Sequence, residues 1–148
     1  MLDISPPELY RRGIRGIIID IDNTLTEWRS PILPEGTAGW LQRAGRDGIK
    51  LCFVSNNSAR HFRDVAEKLV IPFVAKAQKP RRHSFRMAMK IMGTTPEQTA
   101  VIGDQLFTDI LGGNRMGMLT ILVTPISDRE FFGTRLMRLV ERLFVRRP

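Results

Sequence analysis

Cysteine is nearly absent from this chain: Cys52 is the only one among 148 residues. An internal disulfide is therefore excluded, and Cys52, set in an apolar run, reads as a buried, inert thiol of a reducing cytosol. Long apolar runs are missing too, and no segment approaches the roughly 20 residues of a membrane span. The opening Met1-Leu2-Asp3-Ile4-Ser5-Pro6-Pro7 has neither a basic start nor an apolar stretch, so it does not read as a signal peptide. Without a secretion signal the sequon Asn56-Asn57-Ser58 carries little meaning. Repeats, low-complexity tracts and long linkers are lacking, which points to one domain over residues 1–148. Acids are the minority, 15 against 23 Lys and Arg, and the net charge of +8 favours anionic partners: nucleic acid, acidic lipid surfaces or phosphorylated substrates. No RNA-binding motif or aromatic stacking cluster is visible, so a specific nucleic-acid partner is not expected.

The charge that is present is uneven. Residues 76–90 hold Lys76, Lys79, Arg81, Arg82, Arg86 and Lys90 with no acid among them. A solvated helix face explains much of this, and attraction of an anion toward Lys79 is the functional alternative.

The most informative stretch is Ile17-Ile18-Ile19-Asp20-Ile21-Asp22-Asn23-Thr24-Leu25. An apolar run suited to a buried parallel strand stops at two carboxylates and a turn-prone Asn-Thr pair. Ligands of open α/β sheets sit just beyond the carboxyl ends of strands. Acids buried beside isoleucines need a counter-charge, and a divalent cation supplies one. A calcium loop of the EF-hand type is excluded, because its sixth and twelfth positions would be Leu25 and Pro31 in place of Gly and Glu.

Periodicity predicts strands over 15–21, 50–54, 72–75, 99–103 and 119–123. Helices are expected from Ser5-Pro6 to Gly13 and over 35–46, 59–70, 80–93, 106–116 and 128–145. Residues 25–34, with Pro31 and Pro34, read as a flap. The alternation predicts a single Rossmann-like three-layer α/β domain with a mostly parallel five-stranded sheet. Four strand ends then carry polar groups: Asp20 with Asp22; Ser55 with Asn56; Lys79 before Pro80; and Gly103-Asp104 with Asp109 following. Each alone is an ordinary turn, cap or surface residue. Together they project from one sheet edge, where the acids fit Mg²⁺ and the hydroxyl and ammonium fit a phosphate.

This set and its order resemble the haloacid dehalogenase (HAD) superfamily of phosphotransferases. The resemblance implies that Asp20 is the nucleophile forming an aspartyl-phosphate. Asp22 would be general acid and then base, and Thr24 would orient that neighbourhood. Ser55, Asn56 and Lys79 would hold the substrate. Asp104 would bind Mg²⁺ with Asp20 and the carbonyl of Asp22, and Asp109 would support the metal or Lys79. The intervals 25–51 and 55–79 leave no room for an inserted cap, so an open site is expected. Gly13-Ile-Arg-Gly-Ile, Val54-Ser-Asn-Asn, Lys79-Pro80 and the run from Gly103 to Gly117 resemble the capless YqeG family. That family is similar to phosphatases of phosphatidylglycerophosphate, which implies a lipid headgroup as substrate. A cytoplasmic protein is expected, with peripheral contact at the inner face of a membrane. In the terminal segment, Phe132, Leu136, Leu139, Val140 and Leu143 form an apolar stripe flanked by Arg135, Arg138, Arg142 and Arg146. Such a helix suits either packing on the sheet or an anionic membrane interface.

Overall fold

The computed structural model describes residues 1–58 and 60–127. The expected helix over 128–145 lies outside the described residues. Within them, five strands alternate with helices: β1 is Gly16–Ile19, β2 Lys50–Val54, β3 Phe73–Val74, β4 Thr99–Gly103 and β5 Leu119–Leu122. All pairings are parallel and the strand order is β3-β2-β1-β4-β5. The helices are α1 (Pro6–Arg11), α2 (Thr37–Arg46), α3 (Arg63–Leu69), α4 (Arg82–Met92) and α5 (Leu111–Asn114).

The three central strands are apolar on both faces, as a sheet covered on both sides requires. Ile17, Ile19, Leu51, Phe53, Ala100 and Ile102 join one core with Leu9, Trp40, Ala44 and Ala66 of α1, α2 and α3. Ile18, Cys52, Val54 and Val101 join a second core with Phe85, Ala88, Met89 and Met92 of α4. Each fully buried side chain of this size contributes about 1.5–3 kcal/mol. Cys52 is buried as expected, and burial pushes its thiol up to about 12.

Local signals set the helix boundaries. Ser5 caps α1 through Glu8 N–H, and Pro6 fills its first turn. Gly93, at φ 66°, closes α4. Gly112 and Gly113 let α5 lie close: a Cβ on Gly112 would fall 2.4 Å from the Phe85 ring and one on Gly113 2.6 Å from Thr120.

Three elements differ from the sequence expectation. β1 ends at Ile19, not residue 21, because the chain wraps around the Ile21 carbonyl, which accepts Leu25 N–H at 2.9 Å and Thr26 N–H at 3.1 Å. The helix expected over 59–70 opens with a 3-10 turn at Arg60–Phe62, anchored by the fully buried Phe62 edge-on to Phe53. The helix expected over 106–116 opens with a wide π turn, Leu106–Ile110, in which Ile110 N–H reaches back to Gln105 O. Such turns recur at functional sites.

Candidate active site

The strand order reverses between β1 and β4, so the crevice beyond their carboxyl ends is the natural ligand position. Asp20 follows β1 and Asp104 follows β4; both are buried. Ser55 leaves β2, and Lys79 lies beyond β3 at a cis Lys79–Pro80 bond. The π turn delivers Asp109 to the same point.

Lys79 is the hub. Its ammonium donates to Asp20 Oδ1 at 2.6 Å, Asp109 Oδ1 at 2.6 Å and Val54 O at 3.0 Å, which engages all three of its protons. Burial alone would push the ammonium pKa down, but Asp109 and Asp20 outweigh it and the pKa is raised. Burial pushes Asp20 up to about 7 against the pull of Lys79. Asp109 is also raised, by burial first, with Lys79 opposing.

Ligand oxygens of Asp20, Asp104 and Asp109 lie within 4.8 Å of one another. Thr24 Oγ1 donates to Asp104 Oδ1 at 3.1 Å and so fixes that carboxylate. Three buried carboxylates against one ammonium leave an excess of two negative charges in this group when all are ionised. Asp20 Oδ2 is buried and has no hydrogen-bond partner. Oxygen donors, a double negative excess and an orphaned oxygen fit a hard divalent cation.

Asp22 turns the other way. Its Oδ2 accepts from Asn57 Nδ2 at 2.9 Å and Ser55 Oγ at 3.4 Å, and its Oδ1 accepts from Arg29 N–H at 3.0 Å. Of the four aspartates expected around a metal, the structure clusters three and hands the carboxylate of Asp22 to the β2 loop and the flap. Asn56, expected to touch substrate, has both ends of its amide engaged by the Lys79 backbone, at 2.6 Å to N–H and 3.3 Å to the carbonyl. It braces the lysine.

Sequence reasoning passed over Asn57, the Arg29 amide and His61. Asn57 could have been found from its place beside Ser55. The Arg29 amide could not, because it depends on the flap folding back with Arg29 at φ 55°. His61 Nε2 lies 3.4 Å from Asp22 Oδ1, and no local pattern marks it.

Comparison with known proteins identifies the family. The HAD-hydrolase-like family pattern matches residues 76–129. The Bacillus subtilis (strain 168) protein described as "Probable phosphatase YqeG" is 45% identical over 94% of this chain and 81% of its own length. A chloroplastic phosphatidylglycerophosphate phosphatase 1 of Chlamydomonas reinhardtii is 30% identical over 94% of this chain; the match spans 55% of that protein. Among solved structures, the cobalt-bound deoxy-D-mannose-octulosonate 8-phosphate phosphatase of Haemophilus influenzae superposes with a TM-score of 0.57 at 22% identity, over 68% of this chain and 62% of that one. That last likeness concerns the fold alone. Identity, coverage and a five-stranded parallel sheet place this chain in the YqeG family of HAD-like phosphatases.

Proposed function

We propose that this protein is a phosphomonoesterase in which Asp20 is the nucleophile, and that its substrate is the phosphate of phosphatidylglycerophosphate. The single observation that carries the chemistry is Asp20 Oδ2: a buried carboxylate oxygen without a hydrogen-bond partner, at the switch point of the sheet, on a side chain whose other oxygen is held by Lys79. Phosphate monoesters hydrolyse extremely slowly unaided, and a carboxylate nucleophile divides the reaction into two easier displacements. In the first, an Asp20 oxygen bonds to phosphorus as the ester P–O bond breaks, and Asp22 protonates the departing oxygen. In the second, water attacks the phosphorus, Asp22 takes its proton, and Asp20 is released with free phosphate.

Lys79 holds Asp20 for attack, and its charge faces the phosphoryl group in flight. Ser55 aims Asp22 by hydrogen bonding, Asn56 braces Lys79, and Thr24 aims Asp104. Asp20, Asp104 and the Asp22 carbonyl would hold Mg²⁺, with Asp109 in support. When bound, the ion supplies charge neutralisation at the phosphoryl oxygens.

The lipid assignment rests on the algal phosphatidylglycerophosphate phosphatase, which is 30% identical, and on the basic balance of the chain. Among the described residues no helix is long and apolar enough to cross a membrane. Arg29, an exposed flap residue whose amide meets Asp22, stands beside the site to meet a lipid headgroup.

The test is phosphate release from phosphatidylglycerophosphate in mixed micelles, with Mg²⁺ or chelator, for wild type and Asp20→Asn. Metal-dependent release lost in Asp20→Asn is expected. Turnover of soluble monoesters without turnover of the lipid would move the substrate to a sugar phosphate, nucleotide or phosphoprotein.

A further inference from the structure

Among the described residues, two buried side-chain polar atoms have no hydrogen-bond partner: Asp20 Oδ2 and His61 Nε2. The proposed function uses the first. An orphaned buried polar atom is costly and rare, and it calls for an account.

His61 is placed by its neighbours. It sits in the 3-10 turn Arg60–Phe62, six residues beyond Ser55. Phe62 is fully buried and packs edge-on to Phe53 of β2, with ring centroids 5.4 Å apart. The turn is therefore pinned to the sheet, and the side chain of His61 is 21% exposed, beside Asp22. Its Nε2 faces Asp22 Oδ1 at 3.4 Å without forming a hydrogen bond. By distance alone one oxygen atom about 2.8 Å from each would bridge the two, and because Nε2 is buried that oxygen must displace a neighbour to reach it.

Chemistry says which oxygen that is, on the reading that Asp22 is the general acid. The departing ester oxygen must come within about 2.6–3.2 Å of a carboxyl oxygen of Asp22 to receive its proton. Oδ2 is occupied by Asn57 and Ser55, whereas Oδ1 has the Arg29 amide on one side and the unpartnered His61 nitrogen on the other. We infer that His61 is a catalytic residue whose Nε2–H donates a hydrogen bond to the leaving-group oxygen while Asp22 delivers the proton. As the P–O bond breaks, its electron pair goes to that oxygen. Asp22 supplies the proton and His61 keeps its own. His61 thus stabilises negative charge that exists only as the bond breaks, so its effect falls on kcat/KM, which reports the first of the two displacements.

A series of substituted phenyl phosphates, from 4-nitrophenyl to 4-methoxyphenyl, tests this in wild type, His61→Ala and His61→Gln with Mg²⁺. A poor leaving group needs help and a good one does not. His61→Ala is expected to lose about tenfold in kcat/KM on the 4-methoxyphenyl ester and less than about threefold on the 4-nitrophenyl ester, which steepens the dependence on leaving-group acidity. His61→Gln, which can present an amide N–H, should recover part of the loss. Equal losses on every ester, in variants that melt like wild type, would overturn the inference and leave the phosphatase reading intact. Wild type inactive on every ester would sink the phosphatase reading and this inference with it.

Discussion

Gly103 gives its space to Asp109. A Cβ at position 103 would lie 2.3 Å from Asp109 Cγ and 2.3 Å from its Oδ2. The glycine that ends β4 thus lets the π turn fold its carboxylate over the strand and onto Lys79. Gly103→Ala should push Asp109 away and leave Lys79 with one acid. Overpacking of this kind costs about 1–3 kcal/mol. A free energy of unfolding in urea lower by that amount, with phosphatase turnover down at least about tenfold, is expected; an alanine variant with wild-type turnover would detach Asp109 from catalysis.

The raised value of Asp20 sets a pH dependence. Its folded value of about 7 stands above that of a free aspartate, so the folded metal-free protein binds a proton that the unfolded chain has released. That contribution to stability is fully present below about pH 4 and is lost as pH rises toward about 7. Melting of chelated protein across this window should show the decline. Mg²⁺ should offset it at the upper end, and Asp20→Asn should flatten the Asp20 component. A chelated wild-type profile identical to that of Asp20→Asn would mean that Asp20 is not the titrating group.

Lys79 is the one cation hydrogen-bonded to the buried carboxylates Asp20 and Asp109 among the described residues. Lys79→Met leaves both acids buried without it. Removing one partner of a buried pair costs about 3–5 kcal/mol. Part of that loss should return in the chelated protein as pH falls and the two acids take up protons. Chemical denaturation at pH 5 and pH 8 checks this, and a pH-independent loss would count against the ion-pair account.

The fold was legible because each strand announces itself. Ile17-Ile18-Ile19 and Ala100-Val101-Ile102 are apolar on both faces, and an acid follows the first directly and the second after Gly103, so the sheet edge and the carboxylates are read together. What escaped is what depends on the chain folding back on itself. The π turn at Leu106–Ile110 has the same apolar spacing as an ordinary first turn and is distinguished by the need to carry Asp109 past Gly103. His61 gains its place from Phe62 packing on Phe53, a contact between a loop and a strand that no local period encodes. The resemblance puts Asn56 among the substrate ligands, and no local pattern shows that its amide meets the Lys79 backbone 23 residues on.

Asn56 separates bracing from binding. Its amide accepts Lys79 N–H at 2.6 Å and donates to the Lys79 carbonyl at 3.3 Å, so Asn56→Ala removes two hydrogen bonds that fix where the ammonium points. Each is worth about 0.5–1.5 kcal/mol. A melting temperature lower by a few degrees follows from losses of that size in a chain of this length. A brace acts on the reaction through Lys79, so kcat should fall about tenfold or more while KM for a small aryl phosphate stays within about twofold. A substrate ligand lost in the same substitution would raise KM instead. Asn56→Asp distinguishes the two further: it keeps an acceptor for Lys79 N–H but not the donor, and adds negative charge near the phosphate. It should retain more stability than Asn56→Ala while binding the anionic ester less well. Steady-state kinetics and melting of both variants, run side by side, decide between the roles.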